Sequence, residues 1–218
     1  MTRTDTAFEA WDARWQTEAG RAAWLEPEAE VQAVVPLLRA RGVRTVLDLG
    51  CGVGRHARFL AQQGFVVYAC DASWHGLAYL RQDGNLRGSR LLLCQAQMTA
   101  LPYRAACLDY VLAWNVIYHG DETVVRQVLA EIARVLKPGA LLQATMLSKR
   151  NVDVRTGREI APNTFVNEGT EDKHHPHYYC NAAELVALLR DFELLRLSDV
   201  EQRRPGAYHW QFVAERRP

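Results

Sequence analysis

The chain has 218 residues, of which 49% are hydrophobic and 23% charged, and its formal net charge is +1. Such proportions suit one folded α/β-sized domain with a sizeable core, and they exclude a disordered chain or a disulfide scaffold. The near-zero charge offers no basic field to draw in nucleic acid.

Taken in chain order, the spaced aromatics Phe8, Trp11, Trp15 and Trp24 predict an amphipathic helix and a following loop. Pro27 opens a second helix, whose apolar face (Val31, Val34, Val35, Leu37 and Leu38) runs up to the turn at Arg41-Gly42. The period then changes. Val43 to Leu49 is a predicted strand, Val53 to Gln63 a helix, Phe65 to Cys70 a strand and Ser73 to Arg81 a helix. Strands are also predicted at Leu91 to Cys94 and Leu108 to Trp114, then a helix from Asp121 to Leu136 and a strand from Ala140 to Leu147 after the Lys137-Pro138-Gly139 break. This alternation implies a largely parallel sheet covered on both faces.

Residues Ser148 to Cys180 are polar and lack clear periodicity, and they are too many for a casual connection, so they are expected to form an insertion or cap. Asn181, with Glu184 three residues on, reads as a capping box for a helix over Ala182 to Arg190. Phe192 to Val200 and Tyr208 to Glu215 read as a closing strand pair. The five cysteines form no C-x-x-C pair and suit a reducing compartment. Met1 to Asp12 lacks the order of a signal peptide, and no apolar run approaches the roughly 20 residues of a spanning helix, so a cytoplasmic protein without membrane contact is expected.

The chemistry concentrates where the first strand ends. In Val46-Leu47-Asp48-Leu49-Gly50-Cys51-Gly52-Val53-Gly54-Arg55-His56, glycines let the backbone approach a ligand and the helix that follows presents free N–H groups. The spacing is G-x-G-x-G, not the G-x-G-x-x-G that seats a pyrophosphate. Asp48 adds a carboxylate that a ligand's positive charge would welcome. About 20 residues beyond the first glycine, Asp71 ends the second strand, where an acid can accept hydrogen bonds from both ribose hydroxyls. Its other reading is an N-cap for the helix near Ser73.

These motifs resemble class I S-adenosylmethionine-dependent methyltransferases. LDLGCGVGRH is similar to the family's glycine motif, and AQMTALPY (Ala96 to Tyr103) to the segment flanking the adenine. LDYVLAWNVIYHG and EIARVLKPGALL resemble its fourth-strand and fifth-strand motifs. The resemblance implies S-adenosylmethionine as cofactor and S-adenosylhomocysteine as product. It places Asp48, Gly50, Cys51, Gly52, Gly54, Arg55 and His56 around the glycine motif, with Asp71 and Ala72 at the ribose. Gln97 and Met98 would lie at the adenine, and Trp114 and Asn115 at the fourth strand end. Many members carry Asp where this chain has Gln97, whose amide oxygen can accept the same bond.

Trp11-Asp-Ala-Arg-Trp15 is similar to the N-terminus of thiol, thiopurine and tellurite methyltransferases, in which a Trp-bearing helix closes over the cofactor. An indole face at Trp15 suits a sulfonium, and simple packing is the alternative.

On the acceptor side, Tyr118 and His119 follow the fourth strand, and ligands of parallel sheets sit outside the carboxyl ends. His119 is the candidate base, or else it caps a turn before Asp121. His174-His175-Pro176-His177-Tyr178-Tyr179 and Tyr208-His209-Trp210 supply further aromatic and imidazole groups, of which His177, Tyr178 and His209 are candidate acceptor contacts. No metal is expected, because no fixed helical spacing of ligands accompanies the histidines. Glu168, Glu171 and Asp172 select a cationic acceptor or face water.

The expected architecture is thus an α/β, Rossmann-like, seven-stranded, mostly parallel sheet with an antiparallel last strand. Residues 1–218 form one domain: a helical lid (1–42), a cofactor core (43–147), a cap (148–180) and a closing helix with a strand pair (181–218). The expected activity is methyl transfer to a small molecule by a monomer or homodimer. The rivals are a nucleic-acid or protein methyltransferase, a binding protein without catalysis and a nicotinamide oxidoreductase. The strand-end sequence Ala113-Trp114-Asn115-Val116 lacks the amino-methylating N-P-P-Y type tetrapeptide, which weighs against nucleic acid.

Overall fold

Nearly unbroken apolar runs build the centre of the sheet, as strands covered on both faces require. The computed structural model describes residues 4–83, 88, 90–168, 174–202 and 204–218. Strands β1 (Thr45–Leu49), β2 (Val66–Asp71), β3 (Leu91–Gln95), β4 (Leu108–Ala113) and β5 (Leu136–Ser148) pair in parallel in the order β3-β2-β1-β4-β5. Beyond β5, β10 (Tyr208–Arg216) runs antiparallel to both β5 and β9 (Phe192–Glu201). The expected mostly parallel sheet with an antiparallel last strand is therefore present.

Helices α5 (Arg55–Gln62), α6 (Trp74–Arg81), α7 (Glu122–Val135) and α9 (Ala182–Leu188) cover the two faces. On one face Val31, Val34, Leu38, Leu60 and Leu80 pack over Val46, Val67 and Leu112. On the other, Val125, Val128, Leu129 and Ile132 of α7 recur every three or four residues and pack with Val111, Leu142 and Phe212. Each such buried side chain contributes about 1.5–3 kcal/mol. Asp121 caps α7 by accepting from Val124 N at 3.1 Å, and the capping box at Asn181 and Glu184 forms at α9.

The structure departs from the sequence pattern in three places. The two predicted N-terminal helices are four: α1 (Ala7–Trp15), α2 (Glu18–Ala22), α3 (Ala29–Ala33) and α4 (Val35–Ala40). Thr17 caps α2 by accepting from Gly20 N at 3.0 Å, and Pro36 in the first turn of α4 ends the preceding helix. Strand β5 begins at Leu136, so Lys137-Pro138-Gly139 lies inside it as a shift of register against β4.

The described part of the segment 148–180 also contains regular structure. It holds α8 (Asp153–Thr156), the hairpin β6 (Arg158–Ala161) and β7 (Thr164–Val166), and β8 (His177–Cys180). β8 pairs in parallel with Leu147 and Ser148 of β5, beyond the last β4 partner at Ala144, and antiparallel with β7. Among the described residues, three further strands thus extend the seven of the main sheet.

Strand order reverses at β1 and β4, so the crevice outside their carboxyl ends is where a ligand of such a sheet sits. Among the described residues no helix is long and apolar enough to cross a membrane.

Candidate functional site

The turn after β1 is held open by backbone geometry that side chains resist. Gly52 has φ +52°, and a Cβ there would lie 3.0 Å from Cζ2 of Trp15, so α1 packs directly on the bare turn. At Gly54, φ is +84° and a Cβ would meet Leu80 Cδ1 at 2.4 Å, which makes this glycine a packing requirement between the turn and α6.

Two adjoining clefts flank the turn. The first holds about 600 Å³ of empty space, part of it open to solvent. Asp71, Ala72, Gln97 and Met98 line one part of it, and Asn115, Val116 and His119 also face it. The second, of about 390 Å³, is walled by Cys51, Arg55, His56, Trp24 and Trp114. Gly50, Gly52, Trp11, Trp15 and Asn115 border both. The arrangement is an elongated groove crossing the ends of β1, β2 and β4.

Asp71 already holds this groove together. Its Oδ2 accepts from Gly52 N at 2.7 Å and its Oδ1 from Ser73 N at 2.7 Å. The cap of α6 is Ser73, whose hydroxyl accepts from Gly76 N at 3.0 Å, so Asp71 is not the N-cap. A carboxylate has about four lone-pair positions, which leaves acceptor capacity for a ligand's hydroxyls. Burial raises the pKa of Asp71 against the lowering effect of these N–H donors.

Asp48 lines neither cleft. It is buried behind the turn, where burial pushes its carboxyl up to about 7 despite the attraction of Arg55. Its Oδ2 has no hydrogen-bond partner among the described residues. Any influence on a ligand passes through the glycine turn. Arg55 pairs with Glu28 Oε1 at 2.7 Å and lies over the Trp24 ring, and His56 Nε2 accepts from Glu28 N at 3.3 Å. Both fasten the N-terminal segment while facing the second cleft.

Trp15 is buried, stacks on Trp11 at 5.1 Å and meets Trp24 edge-on at 5.8 Å. Asp12 fixes this helix to α6: it accepts from Ser73 Oγ at 2.7 Å and His75 N at 3.0 Å, and contacts His75 Nδ1 at 2.8 Å. Burial opposes its charge, yet the donors of His75 and Ser73 outweigh that and hold its pKa below the ordinary value.

At the far end, Asn115 adopts φ +61°, uncommon for a residue other than glycine. Its N–H donates to Thr145 Oγ1 at 2.8 Å, and its carbonyl accepts from His119 Nε2 at 3.1 Å. Of the expected acceptor contacts only His119 reaches the cleft wall. Tyr118, His177, Tyr178 and His209 are buried behind it. Tyr178 donates its O–H to Glu122 Oε2 at 3.4 Å, His209 Nδ1 donates to the Ala207 carbonyl at 3.3 Å, and burial first of all raises the Tyr178 pKa. Asp121 caps α7, while the His119 ring bonds the Asn115 carbonyl within the turn before Asp121, the alternative its position offered. Glu168 pairs with Arg158 at 3.5 Å in the open, and Glu171 and Asp172 lie outside the described residues.

The structure also draws in residues that sequence spacing did not assign to the site. Trp11 and Trp24 help wall the clefts, and His175 lies 3.2 Å from His119 across 56 residues of chain. For the tryptophans the helical spacing was the available signal; for His175 it was the run His174-His175-Pro176-His177, which does not say that His119 lies beside it.

A family profile described as a methyltransferase domain matches residues 46–139. The malonyl-[acyl-carrier protein] O-methyltransferase of Salmonella typhimurium is 36% identical over 118 residues, which cover 53% of this chain and 43% of that protein. The chain spans about half the length of the curated relatives it matches. In fold it is similar to the 1,6-didemethyltoxoflavin-N1-methyltransferase of Burkholderia thailandensis, solved with its substrate and S-adenosylhomocysteine. That match has TM-score 0.69 and 21% identity, with 98% of this chain and 89% of that one covered. It is equally similar to the [4+2]-cyclase SpnF, with TM-score 0.70, 19% identity and 99% and 96% covered.

Proposed function

We propose that this chain, whose residues 46–139 match a methyltransferase domain, is a class I S-adenosylmethionine-dependent methyltransferase that transfers a methyl group to a small-molecule acceptor. The single observation that carries the proposal is the groove running from Asp71 and Gln97, past Gly50 and Gly52, to Asn115 and His119. It is lined for an adenosyl group at one end and opens on an imidazole. S-adenosylmethionine supplies a methyl group bound to a positively charged sulfur.

The chain's own residues bind, orient and shield. Asp71 accepts the ribose hydroxyls, Ala72 and Met98 pack against the adenosyl group, and Gln97 accepts at the adenine edge. The backbone of the Gly50–Gly54 turn, with Asp48 buried behind it, admits the rest of the ligand beside Cys51, Arg55, His56 and Trp114. Residues 1–42 act as a lid in which Trp15 covers the sulfur end and presents an aromatic face to the positive charge. Residues 148–180 wall the acceptor side of the 43–147 core, residues 181–218 close the sheet, and the whole forms one domain. In-line displacement asks mainly for positioning and a dry groove, which the buried indoles provide.

His119 is proposed as the acceptor-side catalytic residue. Its Nε2–H is committed to the Asn115 carbonyl, so Nδ1 carries the lone pair, which His175 Nε2 faces at 3.2 Å and must yield to an acceptor. Tyr118, His177, Tyr178 and His209 hold it from behind. The free cysteines support a reducing, cytoplasmic setting. His119→Ala is expected to slow turnover about 10²-fold or more while leaving S-adenosylhomocysteine affinity nearly intact. Steady-state kinetics beside calorimetry check this, and equal loss of both would make His119 structural.

The likeness to a cyclase keeps a second reading in play, an adenosyl-binding protein with another activity. Formation of S-adenosylhomocysteine in proportion to methylated acceptor, across a panel of thiols, amines, phenols and carboxylic acids, separates the two.

A further inference from the structure

We propose that His119, His175 and His177 form a binding site for one divalent transition-metal ion of the zinc class. The site goes beyond the methyl-transfer reading and does not depend on it.

All three side chains are buried, and one ring nitrogen from each lies within 4.8 Å of the others. Nδ1 of His119 and Nε2 of His175 are 3.2 Å apart. Two nitrogens bound to one zinc at about 2.0–2.1 Å and a tetrahedral angle are about 3.3–3.4 Å apart, so this pair already has the spacing. Small rotations of the rings bring in the third.

Two of the three tautomers suit ligation, and His175, whose Nε2–H donates to His119 Nδ1 at 3.2 Å, moves its proton to Nδ1 to ligate. A carbonyl only accepts, so His119 carries its proton on Nε2, toward the Asn115 carbonyl at 3.1 Å, and presents Nδ1. His177 carries its proton on Nδ1, toward the His175 carbonyl at 2.7 Å, and presents Nε2. Ligating histidines characteristically donate their second N–H in this manner, which fixes the ring and raises its basicity.

The backbone places the rings before any ion arrives. Tyr178 N donates to the Tyr118 carbonyl at 2.9 Å and Gly120 N to the Pro176 carbonyl at 3.1 Å, which clamps the turn after β4 to the approach of β8. Three neutral imidazoles suit zinc, copper, iron or nickel more than magnesium or calcium, which prefer oxygen. With three protein ligands a fourth position is left for water or an acceptor atom, as in catalytic zinc sites. The cluster lies between the first cleft, which His119 lines, and an outer groove lined by His175 with Arg14 and Gly20, which gives an entry path. An ion there takes the His119 Nδ1 lone pair, and the proposed base then becomes the ion-bound water.

The test is cobalt(II) titration of the chelator-stripped full chain, read by visible absorption. One equivalent should give a saturating d–d band that zinc bleaches. His175→Ala should weaken cobalt binding at least tenfold, whereas His174→Ala, an exposed neighbour, should leave it unchanged. Zinc-edge X-ray absorption of the unaltered protein counts ligands without relying on any variant, and three imidazoles are expected. No cobalt band, a band that survives in His175→Ala, or a zinc shell containing sulfur or fewer than two imidazoles would overturn the proposal.

Discussion

Asp71 accepts two backbone N–H groups at 2.7 Å, so it shapes the glycine turn as well as offering itself to a ligand. Asp71→Ala should weaken S-adenosylhomocysteine binding by about 1–3 kcal/mol in calorimetry, through lost hydrogen bonds to a charged acceptor. Unchanged affinity would confine the residue to the turn. Asp48, like Asp71, is pushed up by burial. Its folded pKa of about 7 stands above the ordinary 3.8, so the folded state retains the proton through the interval between them. Its contribution is fully present below about pH 4 and is lost as pH rises through 7. Asp48→Asn should therefore gain stability relative to the unaltered chain as pH rises from about 4 to 7, as read from urea unfolding, and parallel curves would refute the assignment. Both acids were legible because each ends a strand at a fixed distance from the glycines. That Asp48 faces the back of the turn was not legible, since alternation along β1 does not say which face the ligand meets. Nor could the meeting of His119 with His175 be read, because a tertiary contact across 56 residues leaves no periodic trace.

Among the elements, α1 is held by a latch. Asp12 gathers the Ser73 hydroxyl and the His75 backbone and ring, and through them seats Trp15 over Gly52. Asp12→Ala should raise the dissociation constant for S-adenosylhomocysteine several-fold while unfolding of the core shifts by less than about 1 kcal/mol. A large loss of stability with unchanged affinity would show that the latch serves the fold alone. Gly54→Ala places a Cβ against Leu80 at a left-handed φ, and should destabilise the chain by about 1–3 kcal/mol in thermal unfolding. The long helices were readable because their apolar faces repeat through several turns, as Val125 to Val135 do. Strands β6, β7 and β8 were not, since three or four residues are too few for alternation and every residue of β8 is buried. The breaks before α2 and α4 turn on one cap and one proline inside otherwise helical patterns.

At the scale of the whole molecule, the reversal of strand order between β1 and β4 decides where the groove lies. The alternation of strands and helices made that architecture legible from sequence. The β6–β8 extension and the outer β9–β10 pair lie beyond β5, and fold likeness does not choose an activity, because a methyltransferase and a cyclase are equally similar to this chain at about 20% identity. The central claim concerns the groove: it takes an adenosyl ligand without a pyrophosphate. Calorimetric titration of the full chain with S-adenosylhomocysteine and, separately, with NAD tests it most directly. The account predicts saturable one-to-one binding of S-adenosylhomocysteine and none of NAD; saturable binding of NAD with no heat from S-adenosylhomocysteine would contradict it.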